Sequence, residues 1–169
     1  MRRRLAALLV LAAAPALALA ATFVATSVEE VARSSDAVVR GRVVSREARA
    51  TPDGRIVTEV ELEVLGAWKG APERIVRFVV PGGSLGTIAL SVDAAPTFSD
   101  GEEVVVFLAR KGPGYVVAGW ALGKYRIEGA VARPGVGGAL ILPRAVAAGE
   151  RQVEVMAVTE LERRVRAAQ

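Results

Sequence analysis

Three glutamates alternate with mostly apolar residues in one stretch and form the most regular set of carboxylates in the sequence. Glu59, Glu61 and Glu63 lie two residues apart, so a β-strand would direct them to one face. Carboxylates in a row can bind a hard divalent cation. The alternative is the solvated face of a strand. We favour it because the intervening residues give that strand an apolar opposite face: Ile56, Thr58, Val60, Leu62 and Val64.

Acid–base catalysis has few candidate residues in this chain. The sequence has no histidine and no cysteine, so the commonest general base and the commonest metal ligands are missing. A hydrolase could still use a pair of carboxylates, and the candidates nearest to predicted loops are Asp93, Asp100, Glu102 and Glu103. Each is explained equally well as a turn or surface residue. We therefore expect a protein that is not an enzyme and that has no cofactor or metal site.

The amino-terminal twenty residues have the three-part layout of a secretory signal peptide. Arginines at positions 2–4 precede an apolar run, Pro15 interrupts it, and Ala18-Leu19-Ala20 supplies a site for cleavage after Ala20. An uncleaved membrane anchor over 5–25 is the alternative, and Pro15 with the alanine-rich second half argues against it. The expected location is secreted or periplasmic, without membrane attachment after cleavage.

The charge of the mature chain is nearly balanced. The sequence has 22 Lys and Arg against 18 Asp and Glu, but three of the arginines belong to the predicted signal peptide. Nucleic-acid binding requires clustered positive charge and stacking aromatics, and aromatic residues make up only 5% of the chain. We expect no nucleic-acid partner. With no cysteine, an exported domain must be held together by packing alone.

The stretch from 35 to 78 predicts three consecutive strands joined by turns. The first turn contains Pro52, Asp53 and Gly54, residues that favour tight turns. A two-residue loop of Asp53 and Gly54 would place Arg46 opposite Glu61. A three-residue loop that includes Pro52 would shift the register by one, and a bulge near Gly41 would have to restore it.

The rest of the chain predicts further short strands and two helices. The continuous apolar run 104–108 is typical of a central strand covered on both faces. Shorter strands are predicted at 74–80, 115–118 and 124–128, and a hairpin is predicted to join 130–131 to 140–141. Capping-box pairs predict helices over 28–34 and 160–168, beginning at Ser27 with Glu30 and at Thr159 with Glu162. The segment 87–98 has no clear pattern. Short strands between Gly/Pro turns indicate an all-β barrel or sandwich, forming a single domain over 21–169.

Several of these motifs resemble one known family. They are SDAVVRGRVVS at 35–45, the alternating strand at 57–65, the turn Trp68-Lys69-Gly70, the strand at 75–80 and, more weakly, 101–109. Together they are similar to the OB-fold domain of the tissue inhibitors of metalloproteinases and of netrin-like modules. The resemblance covers about 35–115 and implies a five- to six-stranded antiparallel OB-like barrel, here with a C-terminal helix.

The barrel, the predicted signal peptide and the lack of catalytic residue types favour a secreted or periplasmic, non-catalytic binding module with a protein partner. The resemblance implies a metalloprotease as one kind of partner. The family's inhibitors chelate the protease zinc through an amino-terminal cysteine that disulfides brace. This chain has no cysteine, so we do not assign inhibitory residues, although a free terminus at Ala21 or Thr22 could still chelate a metal. Alternatives are an exported hydrolase with a carboxylate pair and a structural or adhesion protein of the envelope. The candidate partner contacts are Ala21, Thr22, Trp68, Lys69, Gly82, Gly83 and Trp120. Trp68 is expected to be exposed, and Tyr115 and Tyr125 to be in the core.

Overall fold

Residues 104–108 lie at the centre of the largest sheet, as their apolar run predicts. The structure is a computed structural model that describes residues 22–70, 72–136 and 140–169. The predicted signal peptide, 1–20, and Ala21 lie outside these ranges. None of the helices within them has the length and apolar character needed to cross a membrane.

The described chain is mostly β, with a large sheet and a C-terminal helix. Its elements, in chain order, are β1 (Thr22–Val24), α1 (Val28–Arg33), β2 (Ala37–Ala50), β3 (Ile56–Lys69), β4 (Ile75–Pro81), β5 (Gly83–Leu85), β6 (Ile88–Leu90), β7 (Glu103–Lys111), β8 (Gly114–Val117), a 3₁₀ turn (Trp120–Gly123), β9 (Lys124–Glu128), β10 (Val131–Pro134), β11 (Leu140–Leu142), β12 (Met156–Ala157) and α2 (Val158–Ala167).

The main sheet has the strand order β12-β10-β9-β7-β2-β3-β4-β8, and β7 also pairs with β8. Its pairs are antiparallel except β4 with β8, which is parallel. The expectation of an antiparallel sheet is therefore wrong for this pair. Two smaller sheets consist of β1 with β11, in parallel, and of the β5–β6 hairpin.

The β2–β3 hairpin has the three-residue loop. The backbone N–H of Thr51 donates to the carbonyl of Arg55 at 2.8 Å, which leaves positions 52–54 in the loop. Arg46 consequently lies opposite Val60 and not opposite Glu61, so the two-residue alternative is wrong. The register shifts between Arg40 and Gly41, as the three-residue alternative requires, and also at two other places along the hairpin.

Strand β7 separates two groups of buried side chains. Val105 and Phe107 face one group, which contains residues of both helices together with Trp68 and Tyr125. The residues that alternate with them on β7 face the other group, which fills the space between β2, β3, β4 and β7: Val39, Val43, Val60, Leu62, Phe78, Val104, Val106 and Leu108. The run is apolar throughout because both faces of β7 are covered.

The first helix begins as predicted, and the last one does not. Ser27 Oγ accepts a hydrogen bond from the N–H of Glu30 at 3.0 Å and caps α1. At α2 no side chain caps the first turn, and Thr159 lies inside the helix. The helix begins earlier because the N–H of Val158 donates to the carbonyl of Ala130 at 2.9 Å. A tertiary contact thus replaces the predicted capping box.

The hairpin predicted between 130–131 and 140–141 is wrong. Val131 lies opposite Glu128, so a tight turn joins β9 to β10, and β12 covers the other edge of β10. Strand β11 pairs instead with β1, where Leu140 lies opposite Thr22. A short local turn formed in preference to the longer predicted connection, as loop-closure entropy favours.

Candidate binding groove

A groove of about 830 Å³ lies across β3, β4 and β8. It occupies the face of β3 and β4 opposite to the buried side chains of Val60 and Phe78. The 51–55 loop borders one side of it, and the end of β7 with the loop that leads to β8 borders another. Trp120 and Leu90 close a third side. Four separate parts of the chain therefore converge on one concave surface.

The floor of the groove is aliphatic. Val57, Val79, Pro81 and Val116 contribute half-buried side chains from three neighbouring strands. Leu90 extends this surface with a side chain that is 42% exposed. Concave apolar surfaces with a few polar groups at their margin are the usual form of a binding site.

Trp120 stands at the margin of the groove in an unfavourable backbone conformation. Its φ is +57°, its side chain is 50% exposed, and the preceding Gly119 has a φ of +68°. Ala94 also has a positive φ, +66°, and its carbonyl accepts a hydrogen bond from Ala121 at 3.1 Å. Non-glycine residues with positive φ cost free energy and cluster at functional sites. The strained backbone and the exposed indole ring of Trp120 therefore lie together beside the groove.

Basic side chains line the margin of the groove. Four cationic side chains line the groove: Arg49, Arg55, Arg77 and Lys111. Glu59 is the single carboxylate among the described lining residues. Arg49 lies 3.6 Å from Glu59. Within the described ranges Lys111 forms no ion pair, so its charge is available to a ligand.

Two of the arginines are held by acids just outside the lining. Arg55 pairs with Asp53, and Arg77 Nε lies 2.5 Å from a carboxylate oxygen of Glu61. The hydrogen bond from Arg77 to Glu61 raises the pKa of the guanidinium and lowers the pKa of the carboxyl. Both groups therefore stay charged over the ordinary pH range.

Each glutamate in the regular row on β3 forms an ion pair with an arginine. Glu59, Glu61 and Glu63 pair with Arg49, Arg77 and Arg74, respectively. Among the described residues no group of three His, Cys, Asp or Glu is arranged to hold a metal ion. The three partners come from different places: Arg49 from β2, Arg77 from β4 and Arg74 from the residue just before β4.

The carboxylates considered for hydrolysis are also engaged. Arg46 donates to Asp100 at 2.8 Å and lowers the pKa of that carboxyl. Burial raises the pKa of Glu102, but hydrogen bonds from Lys124 and Arg126 outweigh it and lower the pKa overall. A general acid at neutral pH needs a raised pKa, which neither group has. Glu103 pairs with Arg40, and Asp93 forms no ion pair within the described ranges.

Trp120 is the predicted contact that the structure brings to the groove, and the expectation that Trp68 is exposed is wrong. Only 4% of Trp68 is accessible, because β3 continues into the predicted turn as far as Lys69 and carries the ring into the core beneath the helices. Lys69 donates from Nζ to the carbonyl of Ala32 at 2.7 Å and so caps α1. Thr22 is exposed on β1, away from the groove, and Ala21 lies outside the described residues.

Gly82 and Gly83 line a second, smaller cavity of about 310 Å³. It lies beneath the β5–β6 hairpin, beside Arg46 and Phe98. A Cβ on Gly83 would lie 2.3 Å from the hydroxyl of Thr58, so glycine is what lets this hairpin approach β3. Its second strand, β6, lies in the segment 87–98 that has no clear sequence pattern, whereas β5 precedes that segment. The aliphatic side chains of the hairpin are exposed: Leu85, Ile88 and Leu90.

Both tyrosines lie where the sequence predicts, although to different degrees. Tyr125 is completely buried, and Tyr115 is half-buried with the guanidinium of Arg110 5.0 Å above its ring centre. The residues that sequence reasoning missed are the groove valines. Their signal was present: β4 reads Phe78-Val79-Val80, with an apolar residue on the face that should be wet.

No protein-family model matches the chain, and no curated protein matches it. Its function must therefore be argued from the groove and the fold.

Proposed function

We propose that the chain is a secreted or periplasmic, non-catalytic binding module whose groove takes a segment of a partner protein. The proposed scaffold is a closed OB-like barrel. The pairings that support closure follow one another from β7 to β2, β3, β4 and β8, and then back to β7. The parallel pair of β4 and β8 completes this circuit. The resemblance to the inhibitor and netrin-like domains suggested the same class of barrel.

The observation that carries the proposal is the aliphatic floor with Trp120 exposed at its margin. In an OB-fold, ligands bind on the face of the second and third strands and on the adjoining loops. Here that face is formed by β3 and β4, and the 51–55 and 112–113 loops border it. Val79 and Val116 offer apolar surface that contact with a partner would remove from water.

A capture experiment with matched variants tests this proposal. The chain from Ala21 is used as bait in the secreted fraction of the organism, and retained proteins are identified by mass spectrometry. Val79→Glu places a charge on the floor of the groove, whereas Val44→Glu changes an exposed valine of β2 outside it. We expect a partner that the wild type and Val44→Glu retain and that Val79→Glu loses. Equal retention by both variants would reject the groove as the site.

A second candidate function is inhibition of a metalloprotease through the amino terminus. This chain has no disulfide to brace the terminus, but Thr22 to Val24 pair with Leu140 to Leu142, and Ala25 donates to the carbonyl of Leu142 at 2.8 Å. This pairing favours the candidate, because it fixes the residues next to the predicted cleavage site. The test is inhibition of a zinc protease by the mature chain. One residue added before Ala21 should abolish inhibition, and equal inhibition with or without it would exclude this mechanism.

A further inference from the structure

We propose that the partner segment bound in the groove carries acidic side chains among its apolar ones. This inference rests on the proposed function and concerns the same site. Its basis is the combination of a positive margin with an aliphatic floor, which together select both the charge and the chemical class of the ligand.

The charge at the margin stays positive after its ion pairs are counted. Three arginines and Lys111 line the groove, and the carboxylates that form ion pairs with these arginines number three: Asp53, Glu59 and Glu61. Arg110, next in sequence to Lys111, adds a further cation over the ring of Tyr115. An acidic segment therefore meets a complementary field, which guides encounter and suppresses basic partners.

The paired arginines keep hydrogen-bond donors for a ligand. A guanidinium has five N–H donors, and Arg55 uses Nε and Nη2 on the single carboxylate of Asp53. The side chains of Arg55 and Arg77 are 77% and 62% exposed. Carboxylates of a bound segment can therefore reach unused donors without breaking the existing pairs.

The floor favours protein side chains over nucleotide bases. Single-stranded nucleic acid is also anionic, but its bases need aromatic rings on which to stack. Trp120 is the one extensively exposed aromatic ring among the described lining residues, since Phe78 is buried and Arg110 covers Tyr115. The floor itself is valine and proline. Aliphatic surface of this kind binds leucine, valine or isoleucine side chains.

A set of three peptides separates the charge from the apolar contribution. The peptides share leucine and valine at the same positions and carry glutamate, glutamine or lysine at the others. Binding to the chain from Ala21 is followed by tryptophan fluorescence, and Trp120→Phe assigns the signal, because Trp68 is buried. We expect the glutamate peptide to bind about tenfold more tightly than the glutamine peptide at low salt. This difference should shrink as added salt screens the charges.

Two charge reversals locate the effect. Lys111→Glu should weaken binding of the glutamate peptide about three- to tenfold, with little change for the glutamine peptide. Arg133→Glu reverses an exposed charge on β10, outside the groove, and should leave both affinities unchanged. Circular dichroism confirms that both variants are folded.

The outcomes distinguish failure of this inference from failure of the proposed function. If the glutamate and glutamine peptides bind equally and Val79→Glu abolishes both, the groove is a protein site and the acidic preference is rejected. If none of the three peptides binds at millimolar concentration, both proposals are rejected. If a single-stranded oligonucleotide binds with salt dependence and the peptides do not, the ligand is nucleic acid and the inference is wrong.

Discussion

The ammonium nitrogen of Lys124 lies 2.8 Å from a carboxylate oxygen of Glu102, and only 4% and 6% of the two side chains are exposed. The same ammonium donates to the carbonyl of Thr97 and lies 4.5 Å from the ring centre of Phe98. Glu102 also accepts a hydrogen bond from Arg126 at 2.8 Å. The pair thereby ties the segment beside the smaller cavity to β9.

We predict that the two halves of this pair differ in their importance for stability. Glu102→Gln leaves the Lys124 charge buried without an anion and should lower the free energy of unfolding by about 3 to 5 kcal/mol. Lys124→Met leaves Glu102 with Arg126 and the N–H of Ser99, so its cost should be smaller. Urea denaturation of both variants measures the difference. Equal losses would contradict the asymmetry.

The backbone strain at Trp120 gives a prediction about stability and binding together. Trp120→Gly and Trp120→Ala both remove the ring, but only glycine adopts the φ of +57° without steric cost. The glycine variant should therefore be more stable than the alanine variant by about 1 kcal/mol, as measured by urea denaturation. Both should lose groove binding. An alanine variant as stable as the glycine variant would show that no strain is stored there.

Gly41 and Gly66 lie on neighbouring strands and provide a matched test of close backbone approach. A Cβ on Gly41 would lie 2.5 Å from the carbonyl oxygen of Glu63 and against Leu62, whereas a Cβ on Gly66 meets nothing closer than 3.8 Å. Gly41→Ala should cost about 1 to 3 kcal/mol through overpacking. Gly66→Ala should be neutral or stabilise by about 0.5 kcal/mol. Reversible thermal denaturation measures the stability of the two variants. Equal changes in stability would contradict the close backbone approach at Gly41.

The lowered pKa of Glu160 predicts that the protein loses stability in acid. A hydrogen bond from Arg163, with a further one from Arg164, lowers its pKa from 4.5 to about 2. Because the unfolded chain binds this proton at higher pH, the stabilisation is complete above pH 4.5 and is lost as the pH falls toward 2. Glu160→Gln should therefore flatten the pH dependence of unfolding over that window. A carboxyl-carbon NMR titration of Glu160 checks the cause, and a midpoint near 4.5 would refute it.

The sequence predicted best where one interaction dominates locally. Alternation in β3 placed Val60 and Leu62 in the core, and the apolar run placed Phe107 in a central strand. Ser27 caps α1 as its spacing to Glu30 requires. These outcomes depend on neighbours in sequence and on burial alone.

The failures occur where distant parts of the chain compete. Trp68 has the sequence context of a turn residue, but β3 extends through Trp68. The backbone of β3 pairs with β2 there, and the Trp68 ring packs in the same core cluster as side chains of α2. Thr159 has the spacing of a cap, and the carbonyl of Ala130 replaces it. The sequence of β4 shows an apolar Val79 on the face expected to be wet, but Val79 meets Val116 only through the parallel pairing of β4 with β8, which no local pattern encodes.

The contacts of α1 determine when the chain can finish folding. Ser27 bonds to Glu150 across 123 positions, and Glu29 bonds to Arg164 across 135. The ribosome makes the first helix early, yet its partners exist only when the last helix has been made. We therefore expect the amino-terminal segment to dock last, after the central strands have paired. Native-state hydrogen exchange should show α1, β1 and α2 opening together, as one unit with less protection than β7.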